Sequence, residues 1–223
     1  MPRPEEKLIA ILKDHGVDFT ASLPCEKIKV LLERVGLSFF HVPLTREEEG
    51  VGISAGAALS GRRPAMFVQS SGLGNMINAL LSLTQFYELP LALFVSRRGI
   101  YKERIEAQVP MGQRLTGILA GAGIAYSEIN SKDDFTIVDQ ELPQVFHKNS
   151  IHAFLLSPAV WEGSQCKESS ELGVRNSGCK GVDPRPSSVV PRPSRPVLTR
   201  YDIINIIAPY LDKKVVVSNL GWP

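Results

Sequence analysis

Cysteine is scarce in this sequence: Cys25, Cys166 and Cys179 are odd in number and far apart, which argues against a disulfide framework or a zinc site. No apolar run approaches the roughly 18–20 residues of a membrane span. The N-terminal Met-Pro-Arg-Pro-Glu-Glu-Lys has no apolar signal core behind it, so a cytoplasmic protein with no membrane partner is expected. A one-sided charge is missing too. The 25 basic and 23 acidic side chains leave a formal charge of +2, without the basic surplus that marks a nucleic-acid partner. His15, His41, His147 and His152 show no metal spacing. What is present is ordinary globular material, 223 residues with 43% hydrophobic and 22% charged side chains, enough for one full domain with some to spare.

To about residue 157, helical and strand-like patterns alternate. Pro4 to His15 places Leu8, Ile9, Ile11 and Leu12 on one helical face, and Val17 to Leu23 reads as a strand. Pro24 opens a helix that ends at Gly36. A β-rich stretch, Leu37 to Val42, precedes a helix that Thr45 starts and that runs toward Gly61. Pro64 to Gln69 is a compact apolar strand, followed by a glycine turn and a helix from about Asn75 to Thr84. Pro90 to Val95 is continuously apolar, as a strand buried on both faces should be. Leu115 to Ala122 reads as helix, Ile124 to Ile129 as strand, Asp133 to His147 as helix and Ile151 to Leu156 as a last strand. Repeated β-α-β units predict an α/β fold with a parallel β-sheet flanked by helices on both faces.

The character changes after residue 157. Residues 158–198 are rich in Pro, Ser, Gly and Arg and are expected to form an extended linker. Residues 199–223 read as one helix and the start of a strand, too little to fold alone, and are expected to be the truncated opening of a second α/β domain.

Three constellations carry chemistry. Thr45-Arg-Glu-Glu-Glu-Gly50 leads into a helix of small residues, and Thr45 with Glu48 has the spacing of a capping box. Gln69-Ser-Ser-Gly-Leu-Gly-Asn75 lies between a buried strand and a helix, where glycines let backbone amides approach a flat or anionic ligand; it is neither G-x-G-x-x-G nor a P-loop. Ser96 to Arg104 follows a central strand at the edge where ligands of open α/β sheets gather, and its arginines are of the kind that pair bidentately with anions. A solvated basic loop accounts for those arginines equally well. Cys25, at a predicted helix start, is a weak nucleophile candidate with no histidine placed beside it.

Taken in order, EEEGVGISAGAALSG (47–61), FVQSSGLGNMINALLSLTQFYELPLALFVSRRG (67–99) and the loop with Gln108 and Gly112 resemble the pyrimidine-binding domain of thiamine-diphosphate-dependent 2-oxoacid decarboxylases. The likeness covers roughly residues 5–157, and its nearest branch acts on sulfonated and phosphonated pyruvates. It implies a glutamate that hydrogen-bonds the cofactor's aminopyrimidine and favours the tautomer that removes the thiazolium proton, a role that needs shelter from water. Spacing to Gly50 puts that role on Glu48, with Glu47 and Glu49 one step to either side. It further implies cofactor contacts from Pro24, Ser71, Gly72, Leu73, Gly74 and Asn75, and substrate contacts from Arg97 or Arg98 and from Gln108.

The same resemblance implies thiamine diphosphate and Mg2+ as cofactors, the metal being held by a Gly-Asp-Gly motif of the diphosphate-binding (PP) domain. No Gly-Asp-Gly occurs in this sequence, so the expected partner is a PP-domain (β) subunit in a hetero-oligomer. Residues 199–223 resemble the start of that subunit. The implied substrate is a small sulfonated 2-oxoacid; a phosphonated one, or a catalytically inactive remnant or assembly subunit, are the alternatives.

Overall fold

Six parallel strands and six α-helices alternate along residues 3–162, the part of the chain that the computed structural model describes. Most of the expected linker (158–198) and all of the expected second-domain segment (199–223) lie outside the described residues, as do Cys166 and Cys179. Strands β1 (Phe19–Ser22), β2 (Phe40–Pro43), β3 (Pro64–Gln69), β4 (Leu91–Ser96), β5 (Ala125–Ile129) and β6 (Ile151–Leu156) form one sheet in the order β2-β1-β3-β4-β6-β5. All five neighbouring pairs are parallel. Helices α1 (Pro4–Asp14), α2 (Lys29–Ser38) and α6 (Phe135–His147) cover one face, and α3 (Glu47–Leu59), α4 (Ser70–Ala79) and α5 (Val109–Gly121) cover the other.

The continuous apolar runs of β4 and β6 are buried at every position, because each has helices over both sides. On the α1/α6 face the register aligns Phe67, Phe94 and Phe154 across β3, β4 and β6. Their rings stack at centroid separations of 4.9 Å, so three adjacent strands share one aromatic ladder and resist slipping by a residue. The packing continues into a short 3-10 turn, Pro158–Trp161, that buries Val160 and Trp161.

Element boundaries shift in places that matter. Gly36 does not end α2, which runs to Ser38 after a 3-10 turn at Glu26–Ile28. The glycine turn expected at 70–75 is helix: α4 begins at Ser70 directly off β3, with Gln69 as its N-cap. It runs on through a π-helical stretch, Leu80–Gln85. α5 begins at Val109, six residues before the expected start, with Pro110 in its first turn, where its missing N–H costs nothing.

The chain leaves β1 outward to β2 and returns past it to β3, so the strand order reverses between β1 and β3. Ligands of open α/β sheets bind where the order reverses, beyond the carboxyl ends of the strands. The first turn of α4 and the loop after β4 come together there, the Arg98 amide donating to Ser70 Oγ at 3.1 Å.

Candidate active site

α3 starts one residue later than a Thr45–Glu48 capping box requires. Arg46 is the N-cap, and Glu47, Glu48 and Glu49 fill the first three helical positions, each rotated about 100° from the last. Three identical side chains therefore meet three surroundings. Glu49 takes the capping role: the Thr45 hydroxyl and amide donate to its Oε2 at 2.7 and 3.3 Å. Those two bonds, the hydroxyl first, hold its carboxyl below the usual carboxylate range. Glu48 forms an ion pair with Arg46; their side chains remain 35% and 73% exposed.

Glu47 turns toward α4. It is half-buried, and its Oε2 accepts a hydrogen bond from Asn75 Nδ2 at 3.2 Å. A Cβ built at position 72 would fall on the Glu47 carboxylate, 2.7 Å from Cγ and 2.8 Å from Cδ. Gly72 is thus the seat of that side chain, and any larger residue displaces it. This is the physical reason for glycine in a helix, where it is otherwise unfavourable. The helical reading of 70–75 therefore changes the role of Gly72 from a flexible turn residue to a contact surface.

The other residues expected at the cofactor divide. Ser71 is half-buried, and Gly74 and Asn75 are exposed on the same turn. Leu73 is fully buried in the core beneath, which leaves only its backbone to face a ligand. Pro24 is exposed on the rim beyond β1, beside buried Cys25. His15, His41 and His152 bond Asp139, Ser22 and Ser127 at 2.8, 2.9 and 2.9 Å. Burial pushes the His41 and His152 imidazoles below their usual range.

The arginines expected at the substrate are already engaged. Arg98 meets Glu103 with two bonds, Nε to Oε2 at 2.6 Å and Nη2 to Oε1 at 2.7 Å. Their side chains are only 6% and 4% exposed. The guanidinium beside it holds the Glu103 carboxyl far below the usual carboxylate range, and Glu103 raises Arg98 in return. Arg97 pairs through Nη1 with Glu128 at 2.7 Å. Arg98 commits two nitrogens to Glu103, whereas Arg97 keeps a buried Nε with no hydrogen-bond partner among the described residues and so is only partly engaged. Gln108 Oε1 is likewise buried and has no hydrogen-bond partner among the described residues.

Glu103 carried no expectation in the sequence. Its only signal there was an acid five residues beyond Arg98 within one loop. The backbone around it is tight: Gly99, at φ +84°, lies against the backbone of Gln108 and Val109, and Gly112 lies against that of Arg98 and Gly99.

A flat heterocycle suits the arrangement at α3 and α4: a half-buried carboxylate, glycine and serine backbone beside it, and an unpaired buried acceptor on the neighbouring loop. A diphosphate–metal anchor does not. No group of three or more His, Cys, Asp or Glu side chains able to hold a metal occurs among the described residues, and the sequence lacks Gly-Asp-Gly. The described residues thus offer a surface for a flat ring and no cluster for a metal.

Comparison with known proteins agrees with that division. The family described as thiamine pyrophosphate enzyme, N-terminal TPP binding domain, matches residues 4–116. A solved benzoylformate decarboxylase from Polynucleobacter necessarius shares the fold with a TM-score of 0.53 at 18% identity, over 71% of this chain and 30% of that one. Fold and site thus define a thiamine pyrophosphate enzyme domain.

Similarity to individual proteins narrows the class. The chain is 38% identical to sulfopyruvate decarboxylase subunit alpha of Methanococcus maripaludis, over 70% of this chain and 96% of that protein. It is 42% identical to sulfopyruvate decarboxylase of Methanosarcina acetivorans over 99% of its own length, and spans 57% of that longer relative. The chain belongs to the sulfopyruvate decarboxylase alpha-subunit family.

Proposed function

We propose that the chain supplies the pyrimidine-binding half of a thiamine-diphosphate-dependent sulfopyruvate decarboxylase, which converts 3-sulfopyruvate to sulfoacetaldehyde and CO2 in coenzyme M synthesis. The observation that carries this reading is the Glu47 carboxylate seated on Gly72 and hydrogen-bonded by Asn75. We assign the acid role to Glu47 in place of Glu48, whose carboxylate is taken up by Arg46 at the solvent side. Glu47 would face the aminopyrimidine and hold a proton at its carboxylate, with the backbone of Gly72 and Gly74 leaving room for the ring. Thiamine diphosphate, when bound, supplies the electron sink for the pair released as CO2 leaves.

The Mg2+ and diphosphate site belongs to a PP domain in a β subunit or a joined second part. Two findings support a joined arrangement. The alpha-subunit relative matches 70% of the chain, while the match to the longer Methanosarcina relative runs through 99% of it. A phosphonated substrate, towards which the more distant phosphonopyruvate decarboxylases point at 34–35% identity over about half of the chain, and an inactive remnant are not favoured.

The test is co-expression of the full chain with a PP-domain partner, then assay of sulfoacetaldehyde with thiamine diphosphate and Mg2+. Sulfopyruvate is expected to be turned over faster than phosphonopyruvate. Glu47→Gln is expected to lower kcat by about 10²–10⁴-fold, and Glu48→Gln by less than about threefold. No aldehyde from the wild-type assembly, or the reverse order of the two variants, overturns the reading.

A further inference from the structure

Arg98 and Glu103 form the most thoroughly satisfied charged pair among the described residues, in a loop that the mechanism above does not use. The Glu103 carboxylate accepts from Arg98 Nε and Nη2 and also from the backbone amides of Gly99, Arg104 and Ile105, at 3.2, 3.1 and 3.1 Å. Five donors on one carboxylate close residues 98–105 into a knot. Two sides of the site are tied to it. The Arg98 amide donates to Ser70 Oγ at 3.1 Å, and Ser70 is the first residue of α4, whose first turn seats Glu47. On the other side, Gly99 and Gly112 let the backbone of residues 98–99 pack directly on that of 108–112, the stretch that carries Gln108.

An isolated ion pair this deep contributes little net stability, since both charges lose water. A folded loop with ordinary side chains would serve a merely structural purpose as well. What the knot adds is fixed placement. It leaves Gln108 Oε1 buried and unpaired, a condition that costs stability and that a ligand with a donor hydrogen would relieve.

We propose that Arg98 and Glu103 are a positioning pair, which locks the Gln108 loop to the first turn of α4 and presents Gln108 Oε1 to an amino or hydroxyl hydrogen of the bound ligand. The ligand is the one implied by the function proposed above; the lock itself does not depend on it. Sulfonate and carboxylate oxygens are acceptors only, so this atom does not meet them.

Amide hydrogen exchange on the full chain tests the lock without reference to activity. Glu103→Gln is expected to raise exchange about tenfold or more in both 70–75 and 98–112, with α1 and α6 unchanged. A rise confined to 99–105, or one spread over the whole sheet, overturns the proposal. A double-mutant cycle on the co-expressed decarboxylase then tests the action through Gln108. Glu103→Gln is expected to lower kcat by about 10–100-fold in the wild-type background and to have no further effect on Gln108→Leu, while the change in Tm is the same in both. Equal losses of kcat in the two backgrounds overturn the link. Absence of decarboxylation by the wild-type assembly would count against the proposed function, and the exchange pattern would still decide the lock.

Discussion

Where α3 meets α4, the rim of the sheet is assembled from small residues and one carboxylate: Glu47 rests on Gly72, and among the described residues only Asn75 bonds it. Where β4 runs out into residues 97–112, the rim is closed by charge and by backbone on backbone: Arg98 on Glu103, Gly99 on Gln108, Gly112 on Arg98. The first region leaves its acid able to respond to a ligand; in the second the Arg98–Glu103 pair is complete, while Arg97 Nε and Gln108 Oε1 are buried without partners among the described residues. Satisfaction of each group separates the two: a charge with its partners complete holds structure, while a carboxylate with one partner, or an amide oxygen with none, is available for chemistry.

Substitutions can break this contrast, and the largest effect on stability belongs to the charged region. Arg98→Met leaves Glu103 buried without its counter-ion and is expected to cost about 3 kcal/mol in chemical denaturation. A cost near zero would place the pair in the class of exposed ion pairs. Gly112→Ala comes next, at about 1–3 kcal/mol, because its Cβ would meet backbone of Arg98 and Gly99, which cannot swing aside. Gly72→Ala sharpens the comparison. There the obstacle is a side chain, so less than about 1 kcal/mol of stability is expected, yet the displaced Glu47 should lower kcat by about tenfold or more. Equal stability losses in the two glycine variants would erase the distinction.

The smallest effect is in pH. Glu103 is held far below the ordinary carboxylate value of 4.5 by Arg98, so its contribution is present above that value and is lost as pH falls toward its folded-state value. The Tm difference between wild type and Glu103→Gln should therefore stay flat from about pH 5 to 8 and shrink only in more acid solution. A difference that changed through neutral pH would mean that another group carries it.

The two regions were also unequally legible in the sequence. Apolar runs placed β3, β4 and β6 within a residue or so, because strands buried on both faces need no partner pattern to be read. The capped, amphipathic α1 was equally plain. The start of α4 was not: Ser70–Asn75 has the composition of a turn, and glycine is a poor helix former, so only the need to seat Glu47 against α3 explains helix there. The same limit bears on the acid, expected at Glu48 and proposed above at Glu47. Spacing put it within a run of three glutamates, and the choice among them depends on where α3 begins, which Arg46 as N-cap sets. Arg97 and Arg98 were visible as anion binders, but Glu128 lies across the sheet and Glu103 in an irregular loop, and no periodicity announces either pairing. Gln108 was singled out from its place in the family pattern, and its unpaired oxygen is visible only in three dimensions.

Exchange of the thiazolium C2 proton, followed by NMR on the assembled complex with thiamine diphosphate and Mg2+, tests most directly whether Glu47 activates the coenzyme. The expected result is exchange slowed by about 10²-fold or more in Glu47→Gln and unaltered in Glu48→Gln. Wild-type exchange in the Glu47 variant, with the loss found at Glu48, would contradict the account.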